Sequence, residues 1–349
     1  MFKKTGVGSC AVALIVAAVG ATLWAQAPTS DPARLFVTND PACQTATLVS
    51  TGGQFPRNPH TVAIRWTGFS NYELAYNGQV ILLDSYIDRG SMFPPLGFKA
   101  GDVTRVNAIL IGHGHADHMS DAASIGSRTG ALVVGAPVTT EKLLSQSMDA
   151  RQVRAVTGRG GELLEFRGMT VEPILGRHSV PRRDIAAAFG TAMRPFAPVP
   201  TPEQQAEQTA ISRRGTNDPR IAEEGTIAYL ITLDTGFRIM YRDSAGAVTD
   251  YERAAMARIG GRVDVAIVAV SAAYLNTLTA QIALEHARAY RPRIYMPAHH
   301  DGAYNDLWRG TEPIFQAIKD DDPTIITISK GYREPTCFNT EENVRGRER

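Results

Sequence analysis

The feature that most restricts the fold of this chain is an apolar segment that runs directly into a dense group of polar donors. The segment "VNAILIG" is typical of a buried strand, and the next six residues, "HGHADH", contain an aspartate and three of the eight histidines of the chain. A strand that is apolar along its length is buried on both faces, and it delivers the side chains that follow it to a sheet edge. The sequence therefore predicts a layered α/β sandwich with its functional site along one edge.

The spacing of these donors is suited to metal ions. His113 and His115 lie two positions apart, so in an extended segment they point to the same side and can hold one ion. Asp117 and His118 follow where we expect a turn into a helix, and the four donors together are arranged for two adjacent ions. Imidazole with carboxylate favours Zn, Fe, Mn or Ni over Ca or Mg, and Zn is the first expectation.

The alternative is a solvated polar loop that binds no metal. Gly112 and Gly114 argue against it, because small residues allow the backbone to turn tightly where ligands converge. Three histidines and an aspartate at fixed offsets are also far more specific than a lone histidine pair.

Composition limits the classes of function. The chain has 349 residues, of which 44% are hydrophobic and 20% charged, which is typical of one large globular domain or two modest ones. The net charge is only +1 and aromatic residues make up 7%, so no surface for nucleic acid is expected. We expect a small-molecule or lipid-like substrate, and the oligomeric state stays open.

The first 27 residues are predicted to be a signal peptide. Two lysines precede an apolar run from Val7 to Trp24, and cleavage is expected after Ala27 or Ala25. The alternative is an uncleaved membrane anchor, because the run is long enough to span a bilayer. With no second long apolar run, the processed protein is expected to be exported, periplasmic or secreted, without a stable membrane span.

Export changes the interpretation of the cysteines. Cys10 leaves with the signal peptide, and Cys43 and Cys337 remain near the two ends of the processed chain. In an oxidising compartment they are a candidate disulfide, worth about 4–5 kcal/mol by loop entropy. Two unpaired thiols are the alternative. Neither cysteine lies near the histidine cluster, so neither is assigned to metal.

The rest of the chain divides into an arm, a domain and a tail. Residues 28–60 are predicted to form an extended arm, and residues 61–337 form the domain. Residues 181–224 form a proline-rich insertion in that domain, which is predicted to be a lid. Residues 338–349 are highly charged and are predicted to be a disordered tail.

The cluster resembles a known family signature. The pattern His113-Gly-His115-Ala-Asp117-His118 after an apolar strand is similar to the H-x-H-x-D-H signature of the metallo-β-lactamase superfamily. The stretches "IRWTGFSNYELAYNGQVILLDSYID" and "VDVAIVAVSAAYLNTLTAQIALEHARAYRPRIYMPAHHDG" resemble the branch that includes ascorbate-6-phosphate lactonase. The resemblance covers roughly residues 61–332 and implies a four-layer αββα sandwich.

The resemblance also implies three further ligands. They are a histidine in "ILGRHS", an aspartate in "MYRDSAG" and a histidine in "MPAHHDG", and each follows an apolar strand. Taken alone, the first two would also fit turn residues. By the family pattern one metal is held by His113, His115 and His178, the other by Asp117, His118 and His299, with Asp243 between them.

Other residues are less well determined by the sequence. Arg242 stands where the family usually has glycine, and His300 competes with its neighbour as the last ligand. His300 could also support the site, touch substrate or simply be exposed. Asp84 could orient a metal-binding histidine or cap a turn. His60 is expected to be a loop residue, and His286 is expected on a solvated helix face.

Two ions would lower the pKa of a shared water, and the resulting metal-bridging hydroxide would attack an electrophile. Asp117 could orient that hydroxide or accept its proton. The sequence therefore predicts an exported metal-dependent hydrolase for an ester or lactone. A phosphodiesterase or phospholipase-D-like hydrolase is the alternative, and a non-catalytic metal-binding protein is the second alternative. Asp243 argues against a β-lactamase, because lactam-cleaving members usually lack an aspartate there, and the signal segment argues against RNA processing.

The insertion carries several arginines that could meet an anionic substrate. Solvated loop charges are the simpler interpretation, because arginine is usually exposed. The residues concerned are Arg182, Arg183, Arg194, Arg213 and Arg214.

Overall fold

A computed structural model of the protein describes residues 32–179, 199–270, 276–301 and 311–345. The predicted signal peptide and the first part of the insertion, residues 181–198, lie outside the described residues.

Two seven-stranded sheets form the centre of the structure. In spatial order the first contains β14 (Pro335–Asn339), β1 (Thr61–Trp66), β2 (Tyr72–Tyr76), β3 (Gln79–Leu83), β4 (Ala108–Leu110), β5 (Leu132–Gly135) and β6 (Val153–Ala155). The second contains β13 (Ile326–Thr327), β12 (Ile294–Ala298), β11 (Val265–Ala269), β10 (Arg238–Arg242), β9 (Ile227–Leu233), β8 (Met169–Leu175) and β7 (Leu164–Phe166). The tight turn between β2 and β3 has positive φ at both Asn77 and Gly78, as the Asn-Gly hairpin signal predicts.

The strands are apolar on both faces because each face of each sheet is covered. In β11 Val265, Ile267 and Ala269 point between the sheets, whereas Ala266 and Val268 point to the outer helices. The main core lies between the two sheets, where side chains such as those of Leu110 and Tyr229 pack together. Alternation of this kind follows from the two-residue period of a strand.

Helices form the two outer layers. The described helices are α1 (Ala116–Met119), α2 (Ala122–Thr129), α3 (Pro137–Ser145), α4 (Pro202–Ser212), α5 (Asp250–Arg258), α6 (Asn276–Tyr290), α7 (Glu312–Asp321) and α8 (Thr340–Arg345). Helices α2 and α3 cover the first sheet, and α5, α6 and α7 cover the second. The predicted four-layer αββα sandwich is therefore confirmed. None of the helices in the described ranges is long and apolar enough to cross a membrane.

The N-terminal segment packs against the domain instead of extending away from it. Between residues 32 and 60 it forms three short 3-10 helices, Pro32–Leu35, Pro41–Cys43 and Val49–Thr51. Leu48 and Val49 are fully buried, so apolar burial explains the difference from the predicted extended arm. Cys43 forms the predicted disulfide with Cys337 of β14, with 5.9 Å between the Cα atoms.

The prediction of a disordered tail from residue 338 is wrong for the residues that the structure describes. Phe338 lies in β14 and is fully buried against the core, and Thr340 at the start of α8 is also buried. Thr340 donates a 2.7 Å hydrogen bond to the carbonyl of His60. The charged composition concealed an apolar strand that pairs with β1.

The prediction of a solvated face for His286 is also wrong. His286 lies on the inner face of α6 and is fully buried, together with Ala283, Ala287 and Tyr290. His60 is partly exposed, as expected of a loop residue, although its ring lies 3.4 Å from the hydroxyl of Tyr76.

Candidate metal centre

The candidate ligands meet because parallel strands end at the same edge of the sandwich. Asp84 follows β3 and His113 follows the parallel strand β4. In the second sheet β10 and β12 run in one direction, as does β8 through two antiparallel steps. His178, Asp243 and His299 follow these three strands. The topology thus brings side chains from distant parts of the chain to one place.

The first donor group contains His113, His115 and His178. His113 Nε2 lies 3.0 Å from His115 Nδ1, close to the roughly 3.3 Å expected of two nitrogens on one tetrahedral ion. The ring of His178 lies 4.6 Å from that of His113 and 4.7 Å from that of His115. His178 Nδ1 is held 2.7 Å from the carbonyl of Ser179, which leaves Nε2 as the donor atom.

The second donor group contains Asp117, His118 and His299. Asp117 Oδ2 lies 3.2 Å from His299 Nε2 and 3.6 Å from His118 Nε2. His115 is the N-cap of α1, so Asp117 and His118 come from its first turn. The backbone of His299 has a φ of 55° and its N–H donates to the carbonyl of Phe69 at 2.7 Å. The donor atoms of each group lie within 4.8 Å of one another.

Asp243 lies between the two groups. Its Oδ2 is 2.6 Å from His113 Nδ1 and 3.2 Å from His118 Nδ1. Its Oδ1 is buried and has no hydrogen-bond partner among the described residues. A Cβ on Gly112 would lie 1.9 Å from the Asp243 carboxyl carbon, so only glycine permits this approach. A buried carboxylate oxygen without a partner beside histidine nitrogens is a good fit for a bound cation.

His118 is oriented from behind by a carboxylate and a hydroxyl. Asp84 Oδ2 lies 2.7 Å from His118 Nδ1, and Ser70 Oγ lies 2.9 Å from the same nitrogen and 2.5 Å from Asp84. Asp84 Oδ1 accepts the N–H of Gly112 at 2.8 Å. The structure therefore places Asp84 in the supporting position that the sequence suggested. Ser70 was not anticipated, because a lone serine in a loop carries no signal.

The protonation states of the first donor group are suited to a cation. Burial lowers the pKa of His113 to about 4, and burial together with the neighbouring His113 lowers that of His115 to about 3. Burial opposes ionisation of Asp117, but His118 and His299 hold the pKa of Asp117 well below its usual range. Neutral imidazoles and ionised carboxylates are the forms that coordinate a divalent ion. Burial opposes protonation of His118, but Asp117 and Asp84 raise its pKa well above its usual range, so an ion bound there would replace that proton.

Comparison with known proteins identifies the family. The β-lactamase superfamily domain matches residues 79–300, which include both donor groups. The chain belongs to the metallo-β-lactamase superfamily.

This chain is similar to proteins named metal-dependent hydrolases, and the similarity covers part of their length. A UPF0173 metal-dependent hydrolase of Lawsonia intracellularis is 29% identical over 109 residues, 31% of this chain and 46% of that protein. One of Methanopyrus kandleri is 28% identical over 116 residues, 33% of this chain and 47% of that protein. The match thus spans about half the length of these relatives.

Two solved structures share the fold of this superfamily member. A metallo hydrolase of Ignicoccus hospitalis has a TM-score of 0.53 at 14% identity and covers 80% of this chain and 98% of its own. An isothiocyanate hydrolase from Delia radicum gut bacteria has a TM-score of 0.51 at 13% identity and covers 79% and 98%. Identities this low show the fold alone.

His300 and the residue after it support the loop that carries His299. His300 stacks on Trp66 with 4.0 Å between ring centroids and is not among the residues that line the pocket. Asp301 accepts hydrogen bonds from Phe69 N at 2.7 Å and from Arg89 Nη1 at 2.7 Å. Asp301 also accepts the hydroxyl of Tyr332 at 2.5 Å. Nothing in the local sequence pointed to this ion pair, because its partners lie 212 positions apart.

The insertion arginines that the structure describes lie away from the pocket. Arg214 forms a 2.7 Å ion pair with the buried Asp121, and its Nη2 donates to the carbonyl of Asp88. Arg213 is exposed and does not line the pocket. Arg182, Arg183 and Arg194 lie outside the described residues.

The roles of the seven candidate donors as metal ligands stay predictions.

Proposed function

We propose that this protein is an exported hydrolase that binds two divalent transition metal ions, Zn first among them, and cleaves a small neutral ester or lactone. The observation that carries the proposal is the pair of adjacent donor groups, His113–His115–His178 and Asp117–His118–His299, in one pocket. Asp243, with its unpartnered oxygen, lies between them. The hydrolase names of the relatives from Lawsonia and Methanopyrus support the reaction class.

The side chains of the pocket have separable tasks. Two bound ions would supply an acidified water and a polarised electrophile. The three histidines of the first group offer neutral nitrogens on one side of Asp243, and Asp117 offers a carboxylate on the other. Asp117 is 36% exposed, so it can reach a water or a substrate proton that the fully buried Asp243 cannot. We assign to Asp117 the orientation of the attacking water, because a carboxylate whose pKa is held well below its usual range accepts a proton only weakly.

The lining of the pocket favours a neutral substrate over an anionic one. Besides the donors, the described lining consists of small residues, Ser179, Ser244, Ala245 and Ala269. It contains no arginine or lysine in the described ranges, whereas phosphate recognition usually uses such cations. This supports an ester or lactone over a phosphodiester. The proposed substrate shares a lactone bond with that of the ascorbate-6-phosphate lactonase branch, but not its phosphate group.

Export is supported by two features of the chain. The first 27 residues have the layout of a signal peptide, with lysines before an apolar run. A disulfide such as Cys43–Cys337 is typical of proteins in oxidising compartments and rare in the cytosol, which supports export.

The proposal is tested on the purified chain by metal analysis and a substrate panel. We expect about two Zn per chain after reconstitution, and hydrolysis of neutral lactones and aryl esters in preference to bis(4-nitrophenyl) phosphate, phospholipid and a β-lactam. His115→Ala should lose one ion and most activity, because it removes a donor of the first group. His60→Ala is the matched control, because His60 is a histidine outside the pocket.

Three results would count against the proposal. A chain that retains no metal after reconstitution would contradict the two-ion site. Faster cleavage of the phosphodiester than of any neutral ester would favour the alternative hydrolase. Equal losses of activity in His115→Ala and His60→Ala would show that the pocket is not the site of hydrolysis.

A further inference from the structure

We propose that Arg242 is a positioning residue that joins the loop carrying His178 to the loop carrying Asp243. It thereby sets the geometry of the first donor group. The inference rests on the proposed metal binding and adds to it a residue that touches neither metal nor substrate. Arg242 is fully buried at the end of β10, directly before Asp243.

The guanidinium reaches both loops at once. Its Nη2 donates to the carbonyl of Arg177 at 2.8 Å, directly before His178. The same nitrogen donates to the carbonyl of Gly246 at 2.9 Å, and Nε donates to the carbonyl of Ser244 at 3.1 Å. The guanidinium spreads five N–H donors over three nitrogens and so reaches acceptors on two sides, whereas a lysine ammonium has three donors on one nitrogen.

The position of the guanidinium is itself fixed by a buried carboxylate. Arg242 Nη1 lies 2.5 Å from Glu252 Oε1, which also accepts the hydroxyl of Tyr290 at 2.5 Å. Glu252 Oε2 accepts the N–H of Thr249 at 2.6 Å and so caps α5. The arginine is therefore anchored to a helix on one side and holds the two loops on the other.

The loops need a cation between them because their carbonyl oxygens converge. The carbonyls of Arg177, Ser244 and Gly246 all point to one guanidinium, and without it their partial negative charges would face each other unpaired. The loops are also in close contact, because a Cβ on Gly246 would lie 2.0 Å from the Arg177 oxygen. A residue without this guanidinium at position 242 could not supply this link.

The effect should be larger in one half of the centre than in the other, although Asp243 contacts a histidine of each group. His178 belongs to the first group, and the backbone that carries it is what Arg242 holds. The second group is held by other contacts, Asp84 on His118 and Phe69 on the backbone of His299. Loss of Arg242 should therefore displace a first-group ligand and disturb the second group less, through Asp243 alone.

The experiment measures Zn affinity by chelator competition in two backgrounds. His299→Ala disables the second group and reports on the first, and His115→Ala disables the first and reports on the second. In the His299→Ala background we expect Arg242→Met to weaken Zn binding by about tenfold or more, the usual cost of losing support behind a ligand. In the His115→Ala background we expect a several-fold smaller change, because only Asp243 links Arg242 to the second group.

Arg242→Lys protects the test against a variant that fails to fold. Lysine keeps a charge for Glu252 but cannot serve all the carbonyls, so we expect a folded chain by circular dichroism with weakened first-group Zn binding. Equal weakening in both backgrounds, or no change with either variant, would overturn the inference and leave the proposed function standing. A chain with native Arg242 and both donor groups intact that binds no Zn would overturn both.

Discussion

Two buried arginine–glutamate pairs in this protein have similar chemistry and different consequences. Arg65 and Glu73 lie 3.3 Å apart with both side chains fully buried, as do Arg242 and Glu252 at 2.5 Å with at most 1% exposure. Arg65 donates to the carbonyl of Ala42, and Glu73 accepts two backbone N–H groups of the N-terminal segment. The first pair therefore holds that segment on β1 and β2, whereas the second holds ligand loops. What a buried pair does for a protein depends on what its remaining hydrogen bonds connect.

The largest effect on stability is expected at the disulfide, on the same side of the molecule as Arg65. Replacing both Cys43 and Cys337 by serine should lower the free energy of unfolding by about 4–5 kcal/mol, because the bridge closes a loop of 294 residues. Zn affinity of the folded chain should stay the same, since neither cysteine lies near the donors. Urea titration with and without Zn measures both quantities. A matching loss of Zn affinity would show that the two regions are not separable.

The buried ion pair of Arg65 and Glu73 should give the next largest effect on stability. Arg65→Met should cost about 4 kcal/mol of unfolding free energy, because it leaves Glu73 charged and buried without its partner. The double variant Arg65→Met with Glu73→Gln should recover part of that loss, because no buried charge is then left unpaired and the amide oxygen can still accept a backbone N–H of the N-terminal segment. Both variants should bind Zn normally once folded. If Arg65→Met instead weakened Zn as much as Arg242→Met, the contrast between the two pairs would fail.

The strand ends of the site could be read from the sequence, and the supports behind them could not. His178, Asp243 and His299 each follow an apolar strand, and parallel topology then brings them together. The partners of Arg242 are backbone carbonyls, which every residue possesses and which leave no mark in a sequence. Ion pairs such as Arg89 with Asp301 join residues 212 positions apart, and only the folded chain defines them.

Two predictions were wrong because charged neighbours conceal a short buried apolar pattern. His286 has charged neighbours, but Ala283, Ala287 and Tyr290 lie at the helical intervals that mark one buried face. The charged end of the chain likewise concealed Phe338, a fully buried apolar residue inside β14. In both places an apolar pattern of only a few residues determined the burial.

The burial of His286 near Arg242 predicts that the free energy of unfolding depends on pH. Burial and the nearby Arg242 lower the pKa of His286 to about 4, with Glu252 and Glu285 acting in the opposite direction. Its unfolded pKa is about 6.5, so the unfolded chain binds the proton more readily between these values. The neutral histidine thus contributes stability that is fully present above pH 6.5 and is lost as the pH falls toward 4, about 3 kcal/mol in total.

The measurement compares the native chain with His286→Leu in the presence of chelator. Between pH 6.5 and 4 the native chain should lose about 3 kcal/mol more than the variant, because all other titrating groups are shared. Identical pH profiles would show that the pKa of His286 is the same in the folded and the unfolded chain, and would contradict the lowering by burial and Arg242.

The smallest effect tests whether the second half of the centre has its own support. Tyr332→Phe removes one of three hydrogen bonds to Asp301 and keeps the ring that packs on Trp66. We expect a cost of about 1 kcal/mol, because Phe69 N and Arg89 still hold the carboxylate. In the His115→Ala background Zn affinity should fall by a few-fold, since Asp301 supports the loop of His299. In the His299→Ala background it should not change. A response in that background would mean that the two halves share one support, and the division between Arg242 and Asp301 would be wrong.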